Sequence, residues 1–400
     1  MIYDLMIIGG GASGLAAAVT ALSMGIQKVG ILERLPRIGK KILATGNGRC
    51  NLSHAGISAS DYQGSYNPES VLSEFGDVSA FFENLGLYCR TDDQGRMYPY
   101  SMTANAVLDA LRLHCTDAEE LCNQNVIDLY QQNNLWHLRT EGRQYSAKYV
   151  IFSGGGFAAP KFGTDGSAWK LLQKLNIPVI NPKPILCPIL SDRNLLFSLK
   201  GLRVKGSVSL LRNQKIISTE TGEIQFTEQA LSGICIFNLS ALLNSQKQEI
   251  SVNLFPELGS QEVLARLYTC CAVRSESDCE NMLSGLMHKT LAKSLLKRLN
   301  IHADMSCSQL SDLQLRQIAE LCQDVRFPVK GTADFSQAQA TAGGVHGNAL
   351  DEHLQVKNNS GLYVTGEAVD IHAPCGGYQL HWAWASGYNA GKHIAERILS

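Results

Sequence analysis

Three glycines near the start of the chain, Gly9, Gly11 and Gly14, form a Gly-x-Gly-x-x-Gly motif. Between a strand and a helix, this motif lets the backbone approach a pyrophosphate, while the helix N-terminus offers unpaired N–H groups to the phosphates. Glu33 follows about 20 residues later, where a carboxylate can accept hydrogen bonds from ribose hydroxyls. The spacing predicts a site for a cofactor with an ADP half, and it fits FAD and NAD equally.

Three later segments favour FAD. Residues 37–51 are rich in glycine, amides and cations, so they can wrap an elongated anionic cofactor. Residues 361–370 end a predicted strand at Gly366 and present Glu367, whose carboxylate suits a ribityl hydroxyl. Residues 373–381 contain a glycine pair that allows backbone to approach a planar ring. An NAD-only enzyme has no need of the feature at residues 361–370.

The predicted FAD-binding residues lie in these turns and loops or at the ends of neighbouring strands. They are Gly9, Gly11, Ala12, Ser13, Gly14, Glu33, Arg34, Gly39, Lys40, Lys41, Thr45, Gly46, Asn47, Gly48, Arg49, Cys50, Asn51, Val126, Ser153, Gly154, Gly155, Gly366, Glu367, Asp370, Gly376, Gly377, Tyr378 and Gln379.

No catalytic group is identified by spacing alone. His372, Cys375 and Tyr378 are candidates because they flank the glycines expected beside the ring, and packing is the alternative for each. Cys50 has no second thiol close by in its loop, so packing is favoured over a redox role.

Composition narrows the class of protein. The 12 cysteines contain no C-x-x-C pair, so no metal site is predicted. A net charge of −1 favours a small-molecule substrate over nucleic acid. Glycines interrupt the apolar stretch 5–24, and no other window approaches the length of a membrane helix, so we expect a cytoplasmic protein without a membrane partner. The oligomeric state is not predicted.

The elements that must position these residues begin with a βαβ unit, and α/β patterns return near the C-terminus. This arrangement predicts a discontinuous α/β FAD-binding domain, residues 1–185 plus 326–400, with inserted β-rich (186–257) and helical (258–325) parts. Small residues in the last helix predict tight packing against the sheet. We expect the substrate pocket between this domain and the insert.

Several motifs in order resemble the BaiN/RdsA family of NAD(P)/FAD-dependent oxidoreductases, also known as aminoacetone-oxidase-family flavoproteins. The motifs span essentially the whole chain: Gly9–Gly14, Thr45–Asn51, Thr221–Thr227, Leu231–Gly233, Ala342–Val345, Gly361–Asp370 and Gly376–Tyr378. The resemblance implies bound FAD in a Rossmann-like, two-dinucleotide-binding-type domain, with an inserted β-barrel-like part and a small helical bundle. Family members have been linked to bile-acid ring reduction and to amine oxidation.

The chain departs from the family pattern near the expected substrate. Gln379 replaces the usual Asn, and Ile234 replaces the usual Pro. We therefore predict an FAD-dependent oxidoreductase that transfers hydride to or from a small organic substrate. No second Gly-x-Gly-x-x-Gly unit is visible, so NAD(P)H would act as donor without a domain of its own. The alternatives are an oxygen-using amine oxidase and a flavoprotein that acts as a sensor or in RNA modification.

Overall fold

A computed structural model describes residues 1–400. The chain divides into two compact units, one formed by Met1–Pro184 with Phe335–Ser400 and the other by Ile185–Asp334. The first unit is therefore discontinuous, and the second is inserted between its two segments. The predicted mixed α/β class, with a largely parallel sheet and several helices, is confirmed.

The strands and α-helices of both units are numbered here in chain order. In chain order, the strands are β1 Ile2–Ile8, β2 Val29–Leu32, β3 Ser53–His54, β4 Gln63–Gly64, β5 Cys89–Thr91, β6 Arg96–Pro99, β7 Glu119–Leu121, β8 Val126–Gln132, β9 Leu135–Thr140, β10 Gln144–Phe152, β11 Val179–Ile185, β12 Ile189–Leu190, β13 Arg203–Arg212, β14 Lys215–Phe226, β15 Ala230–Ser232, β16 Gln248–Asn253, β17 Val325–Pro328, β18 Gly331–Thr332, β19 Ala340–Val345, β20 Leu362–Val364 and β21 Ile371–His372. The α-helices are α1 Ala12–Ser23, α2 Glu69–Phe75, α3 Val78–Glu83, α4 Ala104–Leu113, α5 Trp169–Lys174, α6 Arg193–Leu196, α7 Ile234–Ser240, α8 Ser260–Val273, α9 Cys279–Leu283, α10 Lys289–Arg298, α11 Asp312–Gln323 and α12 Tyr378–Leu399.

The main sheet of the first unit has seven strands in the order β7-β2-β1-β10-β9-β8, and β20 pairs with β10. Strands β7, β2, β1, β10 and β20 are parallel, whereas β9 and β8 extend the sheet as an antiparallel hairpin. All four residues of β2 are buried, as a central strand covered on both faces requires. The parallel strands end at one sheet edge, which is where α/β folds bind ligands.

The last helix packs on the first helix. A Cβ on Gly387 would lie 2.2 Å from the Ser13 carbonyl oxygen, and one on Gly391 would lie 2.6 Å from the Ala17 carbonyl oxygen. These glycines therefore let α12 touch the backbone of α1. The expectation that the small residues of α12 pack against the sheet is wrong for these two, because their partner is a helix.

Three small sheets complete the first unit. They are the three-stranded sheet β3-β6-β5 and the pairs β4-β21 and β11-β19. The pair β4-β21 joins the segment after the glycine-rich loop to the C-terminal segment, because Ile371 pairs with Gly64 and His372 with Gln63. Regions far apart in sequence are thereby brought to one place.

The second unit contains a seven-stranded antiparallel sheet in the order β17-β16-β13-β14-β15-β12-β18. Helices α8 to α11 share one hydrophobic core with this sheet, in which Leu267, Leu295 and Ile318 lie with Val208 and Ile250. The β-rich and helical parts predicted as 186–257 and 258–325 therefore form one compact unit.

The boundary on the C-terminal side differs from the predicted position at residue 326. Strand β17 pairs with β16, and β18 pairs with β12, so the chain stays in the second unit until Asp334. No helix of the structure has both the length and the apolar character needed to cross a membrane.

Candidate functional site

A groove runs along the carboxyl ends of the parallel strands in the first unit. Its empty volume, with the solvent at its open side included, is about 1310 Å³. It is lined by residues at the carboxyl ends of β1, β2, β10 and β20, including Gly9, Glu33, Ser153 and Gly366. A lining drawn from so many strand ends suits an extended ligand.

The glycine motif shapes one side of this groove. Gly9 has a φ of 103°, and a Cβ there would lie 2.5 Å from the Ser153 carbonyl oxygen. A Cβ on Gly14 would lie 2.1 Å from the Gly9 carbonyl oxygen, whereas one on Gly11 would meet no atom within 4 Å. Gly11 caps α1 without a side-chain hydrogen bond, so the first N–H groups of α1 are available to a phosphate.

Glu33 lies where β2 ends, at the wall of the groove. Its Oε2 accepts a hydrogen bond from the Gly10 N–H at 3.0 Å, and its Oε1 accepts one from the Leu35 N–H at 2.9 Å. These bonds orient the carboxylate, and each oxygen keeps a lone pair that can accept a ribose hydroxyl.

Arg34 forms a two-point ion pair with Asp165, with N–O distances of 2.6 and 3.1 Å. The hydrogen bonds from Arg34 hold the pKa of Asp165 well below its usual range. Both residues line the groove. The pair therefore ties the end of β2 to the segment around residue 165.

The segment Phe162–Gly166 forms a wall of the groove that the sequence did not predict. Lysines from the glycine-rich loop hold the chain leading to it. Lys41 Nζ donates to the Ala158 carbonyl at 3.0 Å, and Lys40 Nζ donates to the Lys161 carbonyl at 3.2 Å. The lysines predicted to meet cofactor phosphates thus also position the opposite wall.

Other lining residues were not predicted either, among them Gln124, Asn125, Gln339 and Ala340. For the Phe162–Gly166 wall, the sequence offered one signal, namely the further glycines Gly163 and Gly166 after Gly155. No motif marks Gln124 and Asn125, because they reach the groove through the pairing of β7 and β8 with the sheet.

The structure places the predicted binding residues in two groups. Those lining the groove are Gly9, Gly11, Ala12, Ser13, Glu33, Arg34, Gly39, Lys40, Lys41, Thr45, Val126, Ser153, Gly154, Gly155, Gly366, Glu367 and Gln379. Those outside its wall are Gly14, Gly46, Asn47, Gly48, Arg49, Cys50, Asn51, Asp370, Gly376, Gly377 and Tyr378.

Glu367 lines the groove, and its carboxylate already has backbone partners. Its Oε1 accepts from the Thr341 N–H at 2.7 Å, and its Oε2 accepts from the Gly156 N–H at 3.3 Å. Lys41 Nζ lies 3.6 Å from Oε2. The side chain predicted to meet a ribityl hydroxyl therefore also joins three segments of the groove.

Asp370 has a structural position instead of a lining one. Its Oδ1 accepts from the Gly343 N–H at 3.0 Å, and its Oδ2 accepts from the Ser65 N–H at 2.8 Å. The residue is 5% exposed. Buried carboxylates need such bonds, so Asp370 fixes the local backbone next to β21.

Several of the predicted residues outside the groove gather next to Gln379. A Cβ on Gly377 would lie 2.3 Å from the Ser53 carbonyl oxygen and 2.9 Å from Asn51 Oδ1. Tyr378 stacks on His54 with ring centroids 5.1 Å apart. The adjoining Gln379 lines the groove, so this cluster and the groove are continuous.

The candidate catalytic groups lie in this cluster or beside it. Burial lowers the pKa of His372 and raises the pKa values of Cys375 and Tyr378. A buried His372 is therefore neutral at pH 7, and Tyr378 keeps its proton. Burial raises the pKa of Cys50 to about 12, so its thiol is not a ready nucleophile.

The groove and its surroundings fit a flavin dinucleotide. An uncapped helix N-terminus, a carboxylate at the end of β2 and an extended volume suit the ADP half. At the other end, Asn51 Oδ1 is buried without a hydrogen-bond partner. Such an atom beside the Gly376–Gly377 turn suits contact with a polar ring edge.

Comparison with known proteins places the chain in a family. It matches the model of the HI0933-like protein Rossmann domain over residues 3–393. The 3-dehydro-bile acid delta(4,6)-reductase of Clostridium scindens is 34% identical over 405 residues, which cover 98% of both chains. The ribosomal RNA dihydrouridine synthase of Haemophilus influenzae is 24% identical over 409 residues, again 98% of both chains.

Solved structures show the same fold. A 3-ketosteroid delta1-dehydrogenase from Sterolibacterium denitrificans superposes with a TM-score of 0.53 at 11% identity, covering 99% of this chain and 100% of that chain. The family resemblance predicted from the motifs is confirmed: the chain belongs to the HI0933-like (BaiN/RdsA) family of Rossmann-domain proteins.

Proposed function

We propose that this FAD-dependent oxidoreductase reduces a carbon–carbon double bond conjugated to a carbonyl in a small organic substrate, with NAD(P)H as hydride donor. The observation that carries the proposal is the groove at the uncapped N-terminus of α1, with Glu33 at its wall. The names of two full-length relatives describe a bile-acid reductase and a dihydrouridine synthase. Both names imply hydrogen added to a double bond near a carbonyl.

In this proposal, the chain supplies binding and orientation. The N-terminus of α1 holds the pyrophosphate, Glu33 holds the ribose, and Lys41 adds positive charge to the groove. FAD, when bound, supplies the hydride-carrying chemistry. The cluster around Gly376–Gly377 lies where backbone can approach the ring.

Reduction of a double bond requires a proton as well as a hydride. Tyr378 is the group we assign to proton donation, because burial keeps its phenol protonated and it lies in the cluster at the end of the groove. The backbone carbonyl of Tyr378 accepts a hydrogen bond from the Tyr62 hydroxyl at 2.9 Å, which fixes the start of α12. Removing the phenol oxygen should slow product formation more than flavin reduction.

The test is the visible spectrum of the purified protein, before and after anaerobic NADH or NADPH. We expect flavin bands that bleach with one of the nucleotides and return on addition of a steroid enone. In Tyr378→Phe, bleaching should persist and the return should slow. Absence of flavin bands, together with failure to bind added FAD, would overturn the proposal.

Two other substrate classes give different results in the same assay. If the enone fails and unmodified ribosomal RNA restores the bands, the activity is that named for the 24% identical relative. If the bands persist with NAD(P)H but bleach with a primary amine, and peroxide forms in air, the protein is an amine oxidase. Each result would replace the enone proposal.

A further inference from the structure

The three-stranded sheet β3-β6-β5 presents one face next to the cluster at the end of the groove. Register pairs His54 with Arg96, and Arg90 with Tyr98. Side chains alternate along a strand, so Arg96 and Tyr98 point to the same side of β6, and their cross-strand partners join them. Met97 points to the other side, where the Ser79 hydroxyl lies 3.5 Å from its sulfur.

Arginine side chains cover aromatic rings on this face. The Arg49 guanidinium carbon lies 5.9 Å from the centroid of the Tyr98 ring, and that of Arg90 lies 5.6 Å from the centroid of Tyr100. The planar rings of His54 and Tyr378 are stacked at an angle of 20° beside them. We name Arg49, His54, Arg90, Tyr98 and Tyr378 the basic–aromatic face.

Some of the arginines on this side of the sheet pair with a carboxylate, and others do not. Arg96 is neutralised by Asp92, with a closest N–O distance of 2.8 Å. Arg49 and Arg90 are exposed and form no ion pair. Two guanidinium groups held over rings, without carboxylate partners, complement a ligand that carries both an anion and a flat hydrophobic body.

The basic–aromatic face adjoins the part of the groove that Gln379 lines. A Cβ on Gly376 would lie 3.6 Å from both His54 and Tyr378 ring atoms, so the glycine turn lies directly against the stacked pair. Gln379, one residue beyond Tyr378, lines the groove. A ligand whose reacting carbon lies at this end can therefore extend its remaining part across the face.

We propose that the basic–aromatic face binds the carboxylate of an anionic, planar, polycyclic enone, and that Arg49 is the residue that selects for this charge. The inference rests on the function proposed above. It adds where the charged group of the substrate binds and that this group is negative. Arg90, on the edge strand, makes a second and weaker contribution. A small acid is favoured over RNA because two unpaired arginines and a net charge of −1 provide little for a phosphate chain.

The test compares a steroid enone that carries a side-chain carboxylate with its methyl ester. Calorimetric binding to the oxidised, flavin-containing protein separates recognition from turnover. We expect the acid to bind about tenfold more tightly than the ester, the scale of one charge-assisted hydrogen bond. Its affinity should fall as salt is raised, whereas that of the ester should not.

Arg49→Gln should abolish the preference for the acid over the ester, and Arg90→Gln should reduce it. Arg266→Gln is the matched control, since Arg266 is an exposed arginine on α8 of the second unit. Flavin content is measured for every variant. Loss of flavin from Arg49→Gln would mean that Arg49 serves the cofactor and would overturn the assignment.

Other outcomes are equally decisive. Equal affinities of wild type for acid and ester, or a preference that survives Arg49→Gln with Arg90→Gln, would sink the proposal. Tight, salt-sensitive binding of a single-stranded RNA oligonucleotide through the same arginines, without acid preference, would replace it with an RNA subsite. A flavin that NAD(P)H does not bleach would refute the proposed reaction while the binding preference still stood.

Discussion

Two regions beside the groove are built in different ways. In the β1–α1 turn, the backbone-built region, backbone fits against backbone: a Cβ on Gly14 would lie 2.1 Å from the Gly9 carbonyl oxygen. Around Glu367 and Asp370, the side-chain-built region, carboxylates accept hydrogen bonds from the backbone of distant segments. The first region depends on the absence of side chains, and the second depends on their presence.

This contrast determines how each region responds to substitution. Backbone contacts at van der Waals distance allow no adjustment, so any added atom must displace the turn or the helix. A hydrogen bond between a side chain and a backbone N–H can be lost singly, and the cost is limited to the unsatisfied group. Substitutions in the backbone-built region should therefore be the most damaging, and changes to exposed ion pairs the least.

Gly14→Ala should be the most damaging change, because its Cβ would meet both the Gly9 carbonyl and the Ser153 hydroxyl, at 2.1 and 2.7 Å. We expect a loss of more than about 4 kcal/mol in the free energy of unfolding, together with loss of bound flavin. Urea unfolding and the flavin-to-protein absorbance ratio measure these. Gly142→Ala is the control, since a Cβ there meets no atom within 4 Å. A stable, flavin-replete Gly14→Ala protein would contradict the tight contact.

Glu367→Gln should cost less, because an amide can accept one of the two backbone N–H groups and faces the other with its own N–H. We expect a loss of about 1–3 kcal/mol in the free energy of unfolding. Thermal and urea unfolding report it, with the exposed Glu257→Gln as control. An unchanged stability would show that these bonds are not needed to join the segments.

His381, in the first turns of α12, gives the stability of the protein a pH dependence. It is 7% exposed, its Nδ1 lies 2.8 Å from the Ser53 hydroxyl, and burial lowers its pKa to about 4 from 6.5. The unfolded chain therefore binds a proton that the folded chain does not, so stability falls as pH falls from 6.5 towards 4. At pH 5 this contributes a loss of about 2 kcal/mol relative to pH 7.

Urea unfolding at pH 7 and pH 5 measures this loss in wild type and in His381→Asn. The variant should lack that part of the pH dependence, whereas His302→Asn, which changes an exposed histidine of the second unit, should retain it. Identical pH dependence in wild type and His381→Asn would assign the effect to other groups.

The Arg34–Asp165 pair should contribute least to stability, because the two side chains are 36% and 43% exposed. A double-mutant cycle with Arg34→Gln and Asp165→Asn should give a coupling of about 0.2–1 kcal/mol in the free energy of unfolding. Flavin dissociation should be faster in either variant, since the pair ties together two walls of the groove. Equal dissociation rates in all four proteins would contradict that role.

The backbone-built region could be predicted from the sequence, and the side-chain-built region only in part. Gly9, Gly11 and Gly14 indicate a turn because their spacing and local context are sufficient to define it. Glu367 lines the groove, but its bonds to Thr341 and Gly156 could not be foreseen from the sequence. Those partners are fixed by strand pairing over long sequence separations, for which no local pattern exists.

The fold shows the same division. The hairpin of β8 and β9 follows from alternation and a polar turn, which are local. The boundary at Asp334 depends on the pairing of β17 and β18 with β16 and β12, which is not local. Likewise, the small residues of α12 predicted close packing, but only the structure shows that Gly387 and Gly391 meet α1.

The contact between α1 and α12 also constrains how the protein is made. At about 5–20 residues per second, the ribosome delivers α1 tens of seconds before α12. During that interval, the buried face of α1 lacks its permanent cover, so the nascent chain offers a binding surface to chaperones. A message truncated before Tyr378 would yield a chain in which this face of α1 is never covered.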